Sequence, residues 1–187
     1  MPIVLDPTWT QAPNPRLWLD MATLGSDDPS YAVGVAPPEG DAEWIDYSQF
    51  CSVLAADWLA PGRRAAWGLS NYGEDGAIAA AKQLLAFQAG GMAAQVTYAE
   101  TALNALALPD LAPAATSDDT DAVANAPVGT VIWAGSDAHA VSAYVEKADS
   151  VRLYDPDGGT AATHSRAEFR QMLGVLELRS FVLRQPS

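Results

Sequence analysis

The chain contains one cysteine, Cys51, and two histidines, His139 and His164. A thiol can attack an amide carbonyl when a base takes its proton and a third group orients that base. The choice of base is therefore small. His139 follows the turn-like Gly135-Ser136-Asp137-Ala138 and opens an alternating, β-rich run. A ring at a strand start is rigidly held yet close to a surface cleft. His164, in Thr163-His164-Ser165-Arg166, stands just ahead of a helix signal and reads as a solvated loop residue. Asp155 ends the strand that follows His139. A hairpin of 139–146 and 151–154, turning near 147–150, would bring Asp155 alongside residue 139. Its carboxylate could then accept the Nδ1 hydrogen of the imidazole and fix the tautomer. Cys51, His139 and Asp155 are thus candidate nucleophile, base and orienter. The backbone amide of Cys51 and the side chain of Gln49 are the candidate oxyanion donors.

Each of these residues also has a plainer role. A cysteine on an apolar helical face is often a small buried hydrophobe. Asp155-Pro156-Asp157-Gly158-Gly159 is ordinary turn chemistry. The order Cys, His, Asp weighs against treating all three as coincidence. Other residues carry no such pattern. The run Asp118-Asp119-Thr120-Asp121 resembles half a calcium loop but lacks the glycine and terminal glutamate at the required spacing, so it reads as a solvated loop. Trp44, Trp58, Trp67 and Trp133 read mainly as core or half-buried packing rather than cleft lining.

The thiol needs an element to hold it. In 47–59, YSQFCSVLAADWL, residues Cys51, Leu54, Ala55, Trp58 and Leu59 share one helical face. Ser48 is the expected N-cap, which puts Cys51 at the third helical position. Free amides and the positive end of the helix dipole favour the thiolate there. Pro61 and Gly62 should end this helix. Further helices are expected at 74–89, closed by Gly90 and Gly91, and at 92–108. After 128 the periodicity changes. Strands are expected at 128–134, 139–146, 151–154 and 176–184, with a helix at 165–173 opened by a Ser165/Glu168 capping box. Residues 1–30 read as an irregular N-terminal arm with a short helix at 16–24. Residues 31–36 read as a strand stopped by Pro37 and Pro38, followed by a turn at 39–41. Residues 109–127, rich in Pro, Ala and Asp, read as a mobile loop. The expectation is one α+β domain over 1–187, with a helical N-terminal half packed on a small antiparallel sheet.

Composition narrows the functional classes. The chain has 187 residues, 49% hydrophobic, and a formal net charge of −13. That is long enough for one proper core. An acidic surface repels phosphate backbones, so nucleic acid is not an expected partner. A single cysteine excludes an intrachain disulfide and a zinc site built on several thiolates. No carboxylate cluster has helical ligand spacing, and no phosphate-binding glycine loop is present. No metal or cofactor is therefore expected. The N-terminus has no basic and apolar leader pattern, and no apolar run reaches about 18 residues. The expectation is synthesis in a cytoplasm without a signal peptide or membrane span, which is compatible with export by a route that needs no cleaved signal.

The local sequences resemble those of the papain-like cysteine peptidases, and within them the YopT-type effector proteases of bacterial secretion systems. Phe50-Cys51 through Trp58-Leu59 is similar to the family's nucleophile segment. His139-Ala140-Val141 is similar to its His-Ala-apolar strand, and Tyr154-Asp155-Pro156-Asp157-Gly158-Gly159 to its aromatic-Asp-Pro segment. The likeness covers about 47–60 and 131–173. Two positions depart from the pattern: Gln49 stands where the family favours Gly, and Ile45 where papain relatives often carry the oxyanion Gln. Double-glycine peptidases share the His strand and the Asp-Pro segment. The resemblance implies a papain-like fold, a Cys-His-Asp triad, no cofactor and a protein substrate in a target cell. A cognate immunity protein or secretion chaperone is the further partner class. Glutamine deamidases and transglutaminases use the same fold and thioester, and a non-catalytic papain-like binding module is the alternative from another class.

Overall fold

The computed structural model describes residues 4–5, 17–20, 22–23, 26, 30–33, 43–47, 50–60, 66–68 and 71–187. Its architecture is α+β. A six-stranded sheet is built from β5 (Ala115–Ser117), β6 (Val131–Gly135), β7 (Ala140–Lys147), β8 (Ser150–Asp155), β9 (Thr160–Ser165) and β10 (Ser180–Arg184). Their spatial order is β5-β10-β6-β7-β8-β9, and every neighbouring pair is antiparallel. The run from β6 to β9 is a simple meander, as short turns between alternating segments require.

Alternation divides this sheet between two cores. Val131, Trp133, Ala140, Tyr154 and Val182 face α1 (Cys51–Trp58) and α2 (Gly73–Ala105). Ile132, Ala134, Val141, Ala143, Val151, Leu153, Phe181 and Leu183 join a second core with Phe169 and Leu173 of α4 (Arg166–Val175) and Val123 of α3 (Thr120–Ala124). Helices thus cover both faces, which explains why Val131–Ala134 is apolar at every position and fully buried.

The helix α1 is more deeply placed than one apolar stripe suggests. Cys51 to Ala56 and Trp58 are all buried, leaving Asp57 half-buried. Apolar residues all round are the mark of a helix inside the core. Asp57 accepts hydrogen bonds from the hydroxyls of Tyr72 and, at 3.4 Å, Tyr98, and burial raises its pKa. The N-cap position is Phe50, which offers no side-chain cap, so Cys51 is the first helical residue and not the third. Ser48, the expected cap, lies outside the described residues, as do Pro37, Pro38, the turn at 39–41, Pro61 and Gly62.

A second, four-stranded sheet precedes α1. It contains β1 (Val4–Leu5), β2 (Leu17–Asp20), β3 (Tyr31–Val33) and β4 (Trp44–Tyr47), in the order β1-β3-β2-β4. Only β1 and β3 run parallel. The expected helix at 16–24 is therefore a strand at 17–20. Leu17-Trp18-Leu19 is too short to carry a helical period, and pairing with β3 and β4 decides its state. The N-terminal half is correspondingly part sheet, not wholly helical.

Two other segments differ from expectation. The stretch 109–127 is not a single loop: it contains β5, paired with β10, and α3. Asp119 caps α3 by accepting from the amides of Asp121 and Ala122 at 2.9 Å, which is the structural use of the acidic run. Residues 160–165 form the edge strand β9, so His164 pairs with Val151 on a strand rather than lying in a loop. The long helix α2 breaks where the two glycines stand. Gly91 has φ 60° and ψ −151°, a conformation that a side chain would make costly. The Ser165/Glu168 capping box of α4 forms as expected.

Arg184 closes the C-terminal end of α2. Its Nη1 donates to the carbonyls of Leu103 and Leu106, its Nη2 to Leu108 and Leu111, and its Nε to Ala112, at 2.8–3.1 Å. The residue is 7% exposed. A buried guanidinium thus satisfies five main-chain carbonyls along the turn that leaves α2. Among the described residues no helix is long and apolar enough to cross a membrane.

Candidate active site

Three contacts clamp α1 against the six-stranded sheet. The Trp133 indole Nε1 donates to the Ser52 carbonyl at 3.2 Å. The Ser142 hydroxyl donates to the Ala55 carbonyl. Trp58 stacks on Tyr154 with ring centroids 5.3 Å apart and planes within 10°. These tie α1 to β6, β7 and β8 in turn, and all the participating side chains are buried. Stacked aromatic pairs of this kind contribute about 0.5–1.5 kcal/mol beyond their area. From the helix side, the Ser52 hydroxyl donates to Gln95 of α2. The start of α1 is consequently fixed relative to the ends of β7 and β8.

His139 stands immediately before β7, where Ser136 holds its backbone. The Ser136 hydroxyl donates to the His139 carbonyl at 3.2 Å and accepts from the His139 amide at 3.1 Å. The Ser136 amide also donates to the His139 carbonyl, at 2.8 Å. Across the hairpin, Ser142 pairs with Tyr154. Extending that register places position 139 opposite 157, with 155 two residues nearer the strand. The expected hairpin therefore forms, and it brings two acids to the imidazole instead of one.

Asp155 Oδ1 lies 2.9 Å from His139 Nε2. Asp157 Oδ2 lies 3.8 Å from Nδ1. The nitrogen that meets Asp155 is thus Nε2, where the sequence argument had Nδ1. Ring orientation follows from the direction in which the strand end presents the side chain, and residue order carries no record of it. Asp155 Oδ1 also accepts from the Asp157 amide at 3.0 Å. The turn role and the orienting role of Asp155 are therefore performed by one oxygen. Gly159, with φ 61°, completes the turn by donating to the Asp155 carbonyl at 3.0 Å. The flanking segment is held too: the Trp67 amide donates to the Gly159 carbonyl at 3.0 Å, and the Tyr154 hydroxyl to the Trp67 carbonyl at 2.9 Å.

Cys51 is 7% exposed, and its side chain is one of the groups that raise the His139 pKa. With Nε2 engaged by Asp155, Nδ1 is the nitrogen left for the thiol. The His139 pKa is pushed up to about 10, first by the hydrogen bond to Asp155 and next by that to Cys51, with burial working the other way. The Asp155 carboxyl is held below its usual range, mainly by the same hydrogen bond to His139. No protein-family model matches the chain, and no curated protein matches it.

The structure therefore brings Cys51, His139 and Asp155 together and leaves His164 out. Gln49 lies outside the described residues, and Ile45 lies in β4. Position 51 begins α1, so its amide belongs to the first turn, which has no intrahelical acceptor. Asp157 is the residue that sequence reasoning passed over. Its signal was the two-residue spacing from Asp155 across from His139, masked by the turn chemistry of the same segment.

The raised pKa has a sign that can be measured. A histidine whose folded pKa lies above the ordinary 6.5 stabilises the fold fully below that value, and the contribution fades as pH rises through about 10. Replacing Asp155 by asparagine removes the largest upward influence. The alkaline limb of any reaction that needs the imidazolium should then move to lower pH, by about one unit or more. Hydrolysis rates followed from pH 6 to 11 would show it. An unmoved limb would detach Asp155 from the titration of His139.

Proposed function

We propose that the chain is a thiol-dependent amide hydrolase working through Cys51, His139 and Asp155, and that its role is that of a secreted bacterial effector cysteine protease acting on a target-cell protein. The observation that carries the chemistry is the imidazole of His139, held by Asp155 at 2.9 Å and pushed up in pKa by both Asp155 and Cys51. The nucleophile on a helix start, the base and the orienter on adjacent antiparallel strands, and their order along the chain all agree with a papain-like arrangement. The target-cell role rests on the resemblance of the three local segments.

The steps follow from the contacts. Asp155 accepts the Nε2 hydrogen of His139, so Nδ1 takes the proton of Cys51. The thiolate attacks the amide carbonyl, and the oxyanion is stabilised by the amide at the first turn of α1. The Nδ1 proton passes to the leaving amine, which departs and leaves a thioester on Cys51. Water then gives a proton to Nδ1 and a hydroxyl to the thioester carbon, and the thiol is restored as the acid leaves.

Iodoacetamide supplies the test, because it reports thiolate character without a known substrate. Cys51 should alkylate at least about tenfold faster than a cysteine peptide near neutral pH, and His139→Ala should remove the advantage. A rate no greater than that of the peptide would favour the non-catalytic binding module. Intact masses of proteins from treated target-cell extract then identify the reaction. New termini signify proteolysis, and a gain of about one dalton signifies side-chain deamidation through the same acyl-enzyme.

A further inference from the structure

Both acids that meet the imidazole are carried by one turn. Asp155 and Asp157 lie in 155–159, between β8 and β9, at 2.9 and 3.8 Å from the ring nitrogens of His139. The turn has bonds of its own, from the Gly159 amide to the Asp155 carbonyl and from the Asp157 amide to Asp155 Oδ1. Its outer side is crossed by residues 66–68, ahead of α2. Ala66 pairs with Thr160 in an antiparallel bridge, and the Trp67 amide donates to the Gly159 carbonyl at 3.0 Å. Asn71 ties the far end of this strap, its Oδ1 accepting from the Gly68 amide at 2.8 Å. The Trp67 ring packs on Tyr72 with centroids 5.5 Å apart. The Tyr154 hydroxyl holds the middle, donating to the Trp67 carbonyl at 2.9 Å.

We propose that Tyr154 is a positioning residue for the reaction: by holding the Trp67 carbonyl, its hydroxyl keeps the 66–68 strap against the turn and so sets Asp155 where it can orient His139.

Tyr154 is suited to this by where it stands. It directly precedes Asp155, and its buried ring stacks on Trp58 of α1. One side chain thus joins the helix that carries Cys51, the strand end that carries Asp155 and the strap that crosses the turn. Packing alone does not call for the hydroxyl, since phenylalanine would stack on Trp58 as well. Burial raises the Tyr154 pKa, so the hydroxyl remains a donor through the range in which His139 titrates. An orienting group must be held within about 0.5 Å of its productive place. A misplacement of about 1 Å can cost about 10^2-fold in rate. The hold on the Asp155–His139 pair stands on these contacts alone, whereas its effect on rate rests on the hydrolase reading.

Tyr154→Phe in the full chain removes the hydroxyl and keeps the stacked ring. The His139 ring, titrated by NMR, should then titrate lower by about half a pH unit or more, because its bond to Asp155 loosens. That measurement needs no substrate. With a protein that intact-mass analysis shows to be cleaved, kcat should fall about tenfold at unchanged KM. Ser165→Ala removes the cap of α4 at the other end of β9 and supplies the comparison. It should destabilise the fold yet leave the His139 titration where it was. An unmoved His139 titration in Tyr154→Phe overturns the proposal. An equal shift in Ser165→Ala also overturns it, since general loosening would then suffice, and so does an unchanged kcat in an active enzyme. Should Tyr154→Phe fail to fold, Asn71→Ala, which releases the exposed end of the strap, is judged by the same criteria. If amide hydrolysis is never found but the shift is confined to the strap variants, the positioning stands and only the hydrolase reading fails.

Discussion

Cys51→Ala should lower amide hydrolysis by at least about 10^3-fold while the protein stays folded. The loss follows from chemistry that has no substitute in the chain, because Cys51 is the only thiol. The fold should survive because alanine keeps the helix and removes one buried sulfur from a core in which its neighbours Val53, Leu54 and Ala55 remain. The cost of that small cavity is about 1 kcal/mol. His139→Ala should reduce the rate by a comparable factor, and the double variant should be no worse than either single one, since nucleophile and base act as a unit. Hydrolysis by purified variants, with urea unfolding alongside, makes the comparison. Retained activity in Cys51→Ala would end the hydrolase proposal. Losses that multiply in the double variant would mean that the two residues act separately.

The largest effect on stability should come from Arg184, far from the thiol. Arg184→Met keeps the length of the side chain but withdraws donors from the carbonyls of Leu103, Leu106, Leu108, Leu111 and Ala112. The Leu103, Leu106 and Leu108 carbonyls keep a donor each, the amides of Leu106, Leu108 and Leu111. The cost therefore falls mainly on the Leu111 and Ala112 carbonyls and on the lost charge-assisted bonds. A buried acceptor left without a partner costs about 1–3 kcal/mol. A loss of about 3–5 kcal/mol is expected, a large part of the roughly 5–15 kcal/mol that holds a typical domain. Arg184→Lys should also be destabilising, by about 2–3 kcal/mol, because an ammonium cannot span a fork of five acceptors. Midpoints of urea unfolding at unchanged slope would measure both. A change below about 1 kcal/mol in either would mean that water replaces the guanidinium at little cost.

The site was legible where local chemistry and period agreed. His139 to Glu146 alternates, 155–159 is dense in turn residues, and together they specify the hairpin that joins His139 to Asp155. The Ser165/Glu168 box and the break at Gly91 were readable for the same reason. What escaped was decided by neighbours. Thr160–Ser165 has no apolar alternation and becomes a strand because β8 offers an open edge. Leu17–Asp20 pairs between β3 and β4 although three apolar residues in a row carry no period. The full burial of α1 depends on what covers its second side, α2 and the sheet, which no periodicity inside eight residues can express. The tautomer of His139 and the five acceptors of Arg184 are likewise properties of assembled backbone, invisible in residue order.

The clamps on α1 also set when the site can exist. Trp133 reaches back 81 positions to Ser52, and Ser142 reaches back 87 to Ala55. His139 and Asp155 lie in that same distant segment. At about 5–20 residues per second, the ribosome needs roughly 5–20 seconds after Cys51 to complete them. Throughout that interval the nascent chain has a cysteine but neither its base nor the sheet that seats its helix. Closing such distant contacts is slow in itself, since loop entropy is lost before the contacts form. The proposed nucleophile therefore stays latent during synthesis, and its activation coincides with completion of the meander.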